Sequence, residues 1–201
     1  MAERGVAMTF TSPKNNTVFQ IKDDATWPSI VFQLDGAGSY SFSWSINWKT
    51  FKKSGQVPAT GSRWDATSSV SNFGGTLTVH AQGAGKSASI SVKLIGANPT
   101  AEQVRQYLAS KPDSAGFDKI LEHESGMTHF TAQGEPKKSF DNGYGMAQLT
   151  NPAPSYEQVW NWKLNIDAAL SLFAGKRASA IQYLSQQNRT YTADQLKYET
   201  V

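Results

Sequence analysis

Residues 117–148 read FDKILEHESGMTHFTAQGEPKKSFDNGYGMAQ, and the reading of this stretch decides how the second half of the chain is built. Its first nine residues place apolar side chains at Phe117, Ile120 and Leu121, the spacing of one helical face. At 100° per residue, Glu124 falls within about 20° of Phe117 and on the side of Ile120 and Leu121. Glu122 points almost the opposite way. Helical phase therefore predicts Glu124 facing the domain interior and Glu122 facing water. Apolar surroundings disfavour the charged form of a carboxylate, which is the condition for a general acid near neutral pH. A structural carboxylate bonded to backbone amides is an equally open reading of the helix alone. A polar spacer follows. Then Asn142-Gly143-Tyr144-Gly145-Met146-Ala147-Gln148 sets two glycines around an aromatic, which allows a tight backbone beside a ligand. Met146 and Gln148 are expected to line a cleft there, one as an apolar contact and one as an amide.

Toward the N-terminus the period changes. Tyr40, Phe42, Trp44, Ile46 and Trp48 alternate with Ser41, Ser43, Ser45 and Asn47, which puts apolar side chains on one face of a strand and polar ones on the other. Ile90, Val92 and Leu94 alternate likewise. Val6–Phe10, Thr17–Ile21, Ser29–Leu34 and Thr76–His80 are shorter candidates. Turn signals separate them at Asp35–Gly38, Gly61-Ser62, Gly74-Gly75 and Gly83–Gly85. Six or seven short strands at this spacing predict an antiparallel β-sandwich of immunoglobulin-like type over residues 1–97. No catalytic constellation appears there, and a spacer or adhesion role is expected.

Pro99 stops the sheet, so residues 98–201 form the second expected domain. Thr100 with Gln103 is a capping-box pattern, and Val104, Tyr107 and Leu108 give the helix its apolar stripe. Ser155 with Gln158 repeats the pattern. A long helix is predicted from about Leu164 to Gln186 on Ile166, Ala169, Leu170, Phe173, Ala180, Ile181 and Leu184. Thr192 with Gln195 opens a last helix close to Val201, which leads us to expect that the native helical domain continues further.

The totals narrow the function classes. The chain has 201 residues, 39% hydrophobic and 17% charged, with a net charge of +3. Residues 1–98 hold nine Lys/Arg against five Asp/Glu, and the rest ten against eleven. This mild basic excess contains no run beyond two residues, so it is no nucleic-acid footprint. The absence of cysteine excludes disulfides and Cys-based metal sites. His80, His123 and His129 have no metal-ligand spacing, and no metal or other cofactor is called for. His123 and His129 flank Glu124 and are expected in surface or capping roles. Lys137-Lys138 is expected at a solvated loop tip. No apolar run reaches membrane-spanning length, and MAERGVAMTF lacks the order of a signal peptide.

Glu124-Ser125 at a helix end, followed by Gly143-Tyr144-Gly145-Met146-Ala147-Gln148, resembles the goose-type lysozyme and soluble lytic transglycosylase superfamily. The likeness covers residues 100–201 and extends to the Asn-containing helix start Trp162-Lys163-Leu164-Asn165-Ile166. It implies an all-α lysozyme-like fold and cleavage of the β-1,4 bond between N-acetylmuramic acid and N-acetylglucosamine in peptidoglycan. Glu124 would be the catalytic acid, and Ser125 would orient it or touch the substrate N-acetyl group. Tyr144, Met146 and Gln148 would line the sugar subsites, with Asn165 among the substrate-binding residues. A lytic transglycosylase reuses its glutamate as base, whereas goose-type lysozymes add an aspartate that helps water attack. Asp141 sits where that aspartate is expected, although Asp-Asn-Gly is also plain turn chemistry.

The sequence departs from this superfamily in two ways. Ala147 stands where a second bulky apolar residue is usual. The aromatic-Asn motif of a late helix is absent. A second expectation follows, a catalytically incomplete wall-binding or delivery module. The two-domain layout without a signal peptide is similar to the effector ends of phage-tail or type VI secretion-spike proteins. That similarity implies delivery to the bacterial wall or periplasm and an immunity-type inhibitor as partner.

Overall fold

A computed structural model describes residues 7–187 together with Thr192, Ala193 and Leu196. An N-terminal β region of two sheets precedes a mainly helical C-terminal region. The strands are β1 (Phe10–Ser12), β2 (Val18–Ile21), β3 (Val31–Leu34), β4 (Tyr40–Trp48), β5 (Phe51–Thr60), β6 (Arg63–Asp65), β7 (Gly75–Gly83) and β8 (Lys86–Gly96). One turn of helix, α1 (Thr67–Val70), lies between β6 and β7. One sheet has the order β1-β3-β6 and the other β2-β8-β7-β4-β5.

The alternation along β4 decides its packing. Tyr40, Phe42, Trp44, Ile46 and Trp48 are all buried, and the residues between them are not. Stacking these rings against the facing sheet (Phe42 lies 5.6 Å from Trp64 between ring centroids) removes the largest apolar areas from water. On β5, Gly55 pairs with Trp44. A Cβ at Gly55 would come within 2.8 Å of the Trp44 indole, so the strand crosses the ring only without a side chain.

Four features differ from the sequence reading. The region is not wholly antiparallel, because β2 runs parallel to β8 with Val18 opposite Lys93 and Ile21 opposite Gly96. The N-terminal run is shared between sheets: β1 pairs with β3 in one, and β2 then covers the free edge of β8 in the other. Strand β5 carries little apolar periodicity in FKKSGQVPAT and is mostly exposed. It is an edge strand, where Lys52, Lys53 and Pro58 discourage further pairing. The expected strand Val6–Phe10 is displaced to Phe10–Ser12, and Val6 lies outside the described residues.

The chain gathers into two units. One holds the residues up to Asn98 together with Phe130–Pro136, and the other holds Pro99–His129 and the chain from Lys137 on. Residues 130–136 thus belong to the first unit. The Phe130 ring lies over Gly96, where a Cβ would come within 2.3 Å of it. Asn98 brackets the Phe130 backbone, accepting from its N–H at 2.7 Å and donating to its carbonyl at 2.9 Å. The Gly96 N–H donates to the Gly134 carbonyl at 2.8 Å.

The second unit is built from α2 (Ala101–Ala109), α3 (Phe117–Ser125), α4 (Tyr156–Trp160) and α5 (Trp162–Gln186). Thr100 and Gln103 form a complete capping box at α2, as do Ser155 and Gln158 at α4. Helix α5 starts two residues before the expected Leu164, because Asn161 accepts from the N–H groups of Lys163 (2.9 Å) and Leu164 (3.4 Å). Asp167 ties α5 to α2, accepting from the Tyr107 hydroxyl at 2.8 Å and pairing with Lys111 at 2.8 Å. Near its end, Ala180 and Leu184 pack with Leu196. Gln195, the far half of the expected last capping box, lies outside the described residues. No described helix is long and apolar enough to cross a membrane.

Candidate active site

Helix α3 is flanked by the cap residues Gly116 and Gly126, both in the left-handed region, at φ +79° and +64°. Phe117 and Leu121 are buried, Ile120 is half-buried, and Glu122 is exposed and paired with Lys119 at 3.1 Å. Glu124 lies on the Phe117–Ile120 side, as phase predicts, and lines an open cleft of about 420 Å³. Residues 147–151 line it as well, together with Ala169, Leu172, Phe173 and Lys176 of α5. The expectation that Glu124 is enclosed by apolar side chains does not hold, because the residue is exposed. Its position is on the flank of the stripe in the last helical turn, where the cleft opens to water. Among the described residues it is the one carboxylate lining this cleft.

The turn that follows is held from inside. Tyr144 and Leu149 exchange both backbone hydrogen bonds, at 3.0 and 3.1 Å, which closes the loop Gly145–Gln148. Two wholly buried polar residues, His129 and Asn165, anchor it. The Met146 N–H donates to Nδ1 of His129 at 3.0 Å, so the ring proton is on Nε2, which donates to the Val159 carbonyl at 2.8 Å. Burial lowers the pKa of His129 from 6.5 to about 4 and keeps it neutral. Asn165 accepts from the Ala147 N–H at 2.8 Å and donates to the Tyr144 carbonyl at 3.1 Å. Gly145 has φ +75°, and a Cβ there would approach His129 Cε1 to 2.5 Å and Asn165 Nδ2 to 2.6 Å. Only glycine meets both demands.

The residues singled out from the sequence therefore separate. Glu124 and Gln148 meet in the cleft, and the Gln148 amide donates to the Gly145 carbonyl at 2.6 Å. Met146 and Asn165 are fully buried and support the turn from behind. Tyr144 is half-buried beside Lys138, whose ammonium is 5.7 Å from the ring centroid. Ser125 donates its hydroxyl to the Leu121 carbonyl at 3.2 Å, within its own helix. Asp141 is exposed and does not line the cleft. It accepts from the Ser139 hydroxyl, and that bond holds its carboxyl below the usual range.

No protein-family model and no curated protein matches this chain.

Three residues stand differently from the sequence reading. His129 is neither at the surface nor a cap, but the buried link between the turn and Val159. Lys137 is not a free loop tip, since its ammonium donates to the Ser125 carbonyl at the end of α3 at 2.8 Å. The same carbonyl also accepts from the Thr128 hydroxyl at 2.8 Å, and the ammonium opposes the negative end of the helix dipole. Lys176 was not singled out. The signal was present, because Ala169, Leu172, Phe173 and Lys176 follow the i, i+3, i+4, i+7 pattern and a cation takes the last place of an apolar row.

Proposed function

We propose that the chain is a peptidoglycan-cleaving glycosidase, with Glu124 as general acid in a lysozyme-like helical domain behind an immunoglobulin-like sandwich. The observation that carries this is the meeting of Glu124, at the end of α3, with the Gly-Tyr-Gly-Met-Ala-Gln turn in one cleft with an apolar wall. Sugar rings have apolar faces and hydroxyl edges, and Phe117, Leu172 and Phe173 offer the first what Gln148 offers the second. The sandwich reading is supported by the strand order and by the N-terminal run divided between both sheets.

Among the described residues a single carboxylate lines the cleft, which favours lytic transglycosylation over the two-carboxylate hydrolytic scheme. Protonated Glu124 gives its proton to the bridging oxygen as the bond from that oxygen to the muramic acid C1 breaks. The resulting carboxylate then takes the proton of the same sugar's C6 hydroxyl as its oxygen bonds to C1, which yields a 1,6-anhydro end. Glu124 is returned protonated, and no water is consumed. Ser139 and Asp141 stay outside these steps.

Isolated cell walls test this. Glu124→Gln removes the transferable proton and is expected to lower wall clearing by at least about a hundredfold, the scale of general acid catalysis, with an unchanged circular dichroism spectrum. Mass spectrometry of the released fragments is expected to show anhydro ends. Clearing at the parental rate by Glu124→Gln would refute the assignment, and reducing ends would point to water as the nucleophile. The exposure of Glu124 favours a second reading, a wall-binding module that does not cut. Wall binding without any soluble fragment would select it.

A further inference from the structure

The cleft beside Glu124 contains a second charged group that the proposed reaction leaves unused. Lys176 lines the same cleft from α5. The spacing of Ala169, Leu172, Phe173 and Lys176 sets them on one helical face, with the ammonium continuing an apolar row into solvent. Three other cations of this unit are held in ion pairs, Arg177 to Asp113 at 3.2 Å, Lys111 to Asp167 at 2.8 Å and Lys119 to Glu122 at 3.1 Å, and Lys138 and Lys163 lie over aromatic rings. Among the described residues Lys176 makes no ion pair and no hydrogen bond to a side chain, although it adjoins a carboxylate-lined cleft.

Its place along the cleft indicates what it serves. Phe117, at the start of α3, packs edge-on against Phe173, with ring centroids 5.5 Å apart. The pair of Arg177 with Asp113 fastens the chain just before α3 to the same part of α5. Lys176 is thus next to the start of α3, whereas Glu124 is seven residues along it, about 10 Å at 1.5 Å per residue. A cation placed there is remote from the breaking bond. It suits an anionic group carried elsewhere on an extended ligand. An ammonium donates three hydrogen bonds and accepts none, so its partner is an acceptor, and a carboxylate gives the strongest match. Leu172 and Phe173 beside it suit the uncharged part of the same substituent.

We propose that Lys176 binds a free carboxylate on the glycan, so that the cleft selects a carboxylate-bearing aminosugar polymer over a neutral one. This rests on the glycan-cleaving reading above. In such a polymer the carboxylate belongs either to the lactyl ether of the muramic acid or to an attached stem peptide.

Calorimetric binding to the 201-residue chain carrying Glu124→Gln, which prevents turnover, separates these cases. The probes are the N-acetylglucosamine–N-acetylmuramic acid disaccharide, the same disaccharide bearing a stem tetrapeptide, and neutral chitotetraose. Adding Lys176→Ala is expected to weaken carboxylate-bearing probes about two- to fivefold, the worth of one exposed charge pair. Chitotetraose binding is expected to stay unchanged, and Lys176→Arg to retain most of the affinity. The stem is joined through the lactyl carboxyl as an amide, so loss on the peptide-free disaccharide alone assigns the lactyl carboxylate, loss on the peptide-bearing probe alone assigns the stem, and loss on both assigns whichever of the two carboxylates is free. Unchanged affinity for both carboxylate probes on adding Lys176→Ala, or an equal loss on chitotetraose, overturns the proposal while leaving the glycan reading intact. Failure of the Glu124→Gln chain to bind any of the three overturns both.

Discussion

His129 and Asn165 are the two wholly buried polar side chains of the helical unit that touch the glycine turn. Between them they satisfy the Met146 and Ala147 N–H groups and the Tyr144 carbonyl. Each of these groups, left unpaired in the interior, would cost about 1–3 kcal/mol. For His129 the accounting depends on pH. Its pKa is depressed from 6.5 to about 4 on folding, so the unfolded chain binds the proton more readily. The stability it contributes is fully present above pH 6.5 and is lost as pH falls toward 4. The loss is at most about 3 kcal/mol. Urea unfolding at pH 7 and pH 4.5 is expected to show it, and His129→Gln, which keeps an acceptor and a donor, is expected to flatten the slope. Parallel pH profiles for the two proteins would remove His129 as the cause.

At the scale of elements, the turn and the end of α3 are fastened by different means. The turn is closed by its own backbone bonds and by residues from distant helices, and it admits no side chain at Gly145. Gly145→Ala combines a left-handed backbone, about 1 kcal/mol, with a clash against two immobile buried residues. A loss of roughly 3 kcal/mol or more in unfolding free energy is expected. Gly175→Ala is the contrasting control, because Gly175 lies within α5 with open space around its added Cβ. It is expected to stabilise the helix by about 0.5–1 kcal/mol. Similar thermal shifts for the two substitutions would contradict this account of the turn. The end of α3, which presents Glu124, relies instead on Gly126 and on the Lys137 ammonium at the Ser125 carbonyl.

At the scale of the whole molecule, the chain passes between its two units three times, after Asn98, after His129 and after Pro136. Phe130–Pro136 belongs with the β region, held by Asn98, by the contact of Phe130 with Gly96, and by an ion pair of Glu135 with Lys93 at 3.4 Å. The stretch between Glu124 and the glycine turn is therefore structural in its own right. Phe130 is buried, with 2% of its surface exposed. Phe130→Ala is expected to cost the β unit about 3 kcal/mol and to speed hydrogen exchange at the Gly96 amide, which donates into this hairpin. Unchanged exchange at Gly96 would show that residues 130–136 contribute nothing to that unit.

Local order was legible wherever the cause is local. The strict alternation of β4 has one solution, because successive strand side chains point to opposite faces. The capping boxes at Thr100 and Ser155 close through atoms three residues apart. The same reasoning put Glu124 on the Phe117 side of α3 and Glu122 in water. Strand β5 escaped because an edge strand buries little and needs no apolar pattern. The parallel pairing of β2 with β8 and the seat of residues 130–136 depend on partners distant in sequence, which no periodicity reports. The candidate site divides along the same line. Glu124, Gln148 and the glycine turn could be named from short motifs. Only the tertiary structure made His129 a buried anchor, moved Met146 and Asn165 behind the turn, left Asp141 outside the cleft and brought Lys176 into it. Burial and shared cavities are properties of segments meeting in space, and the sequence alone does not state which segments meet.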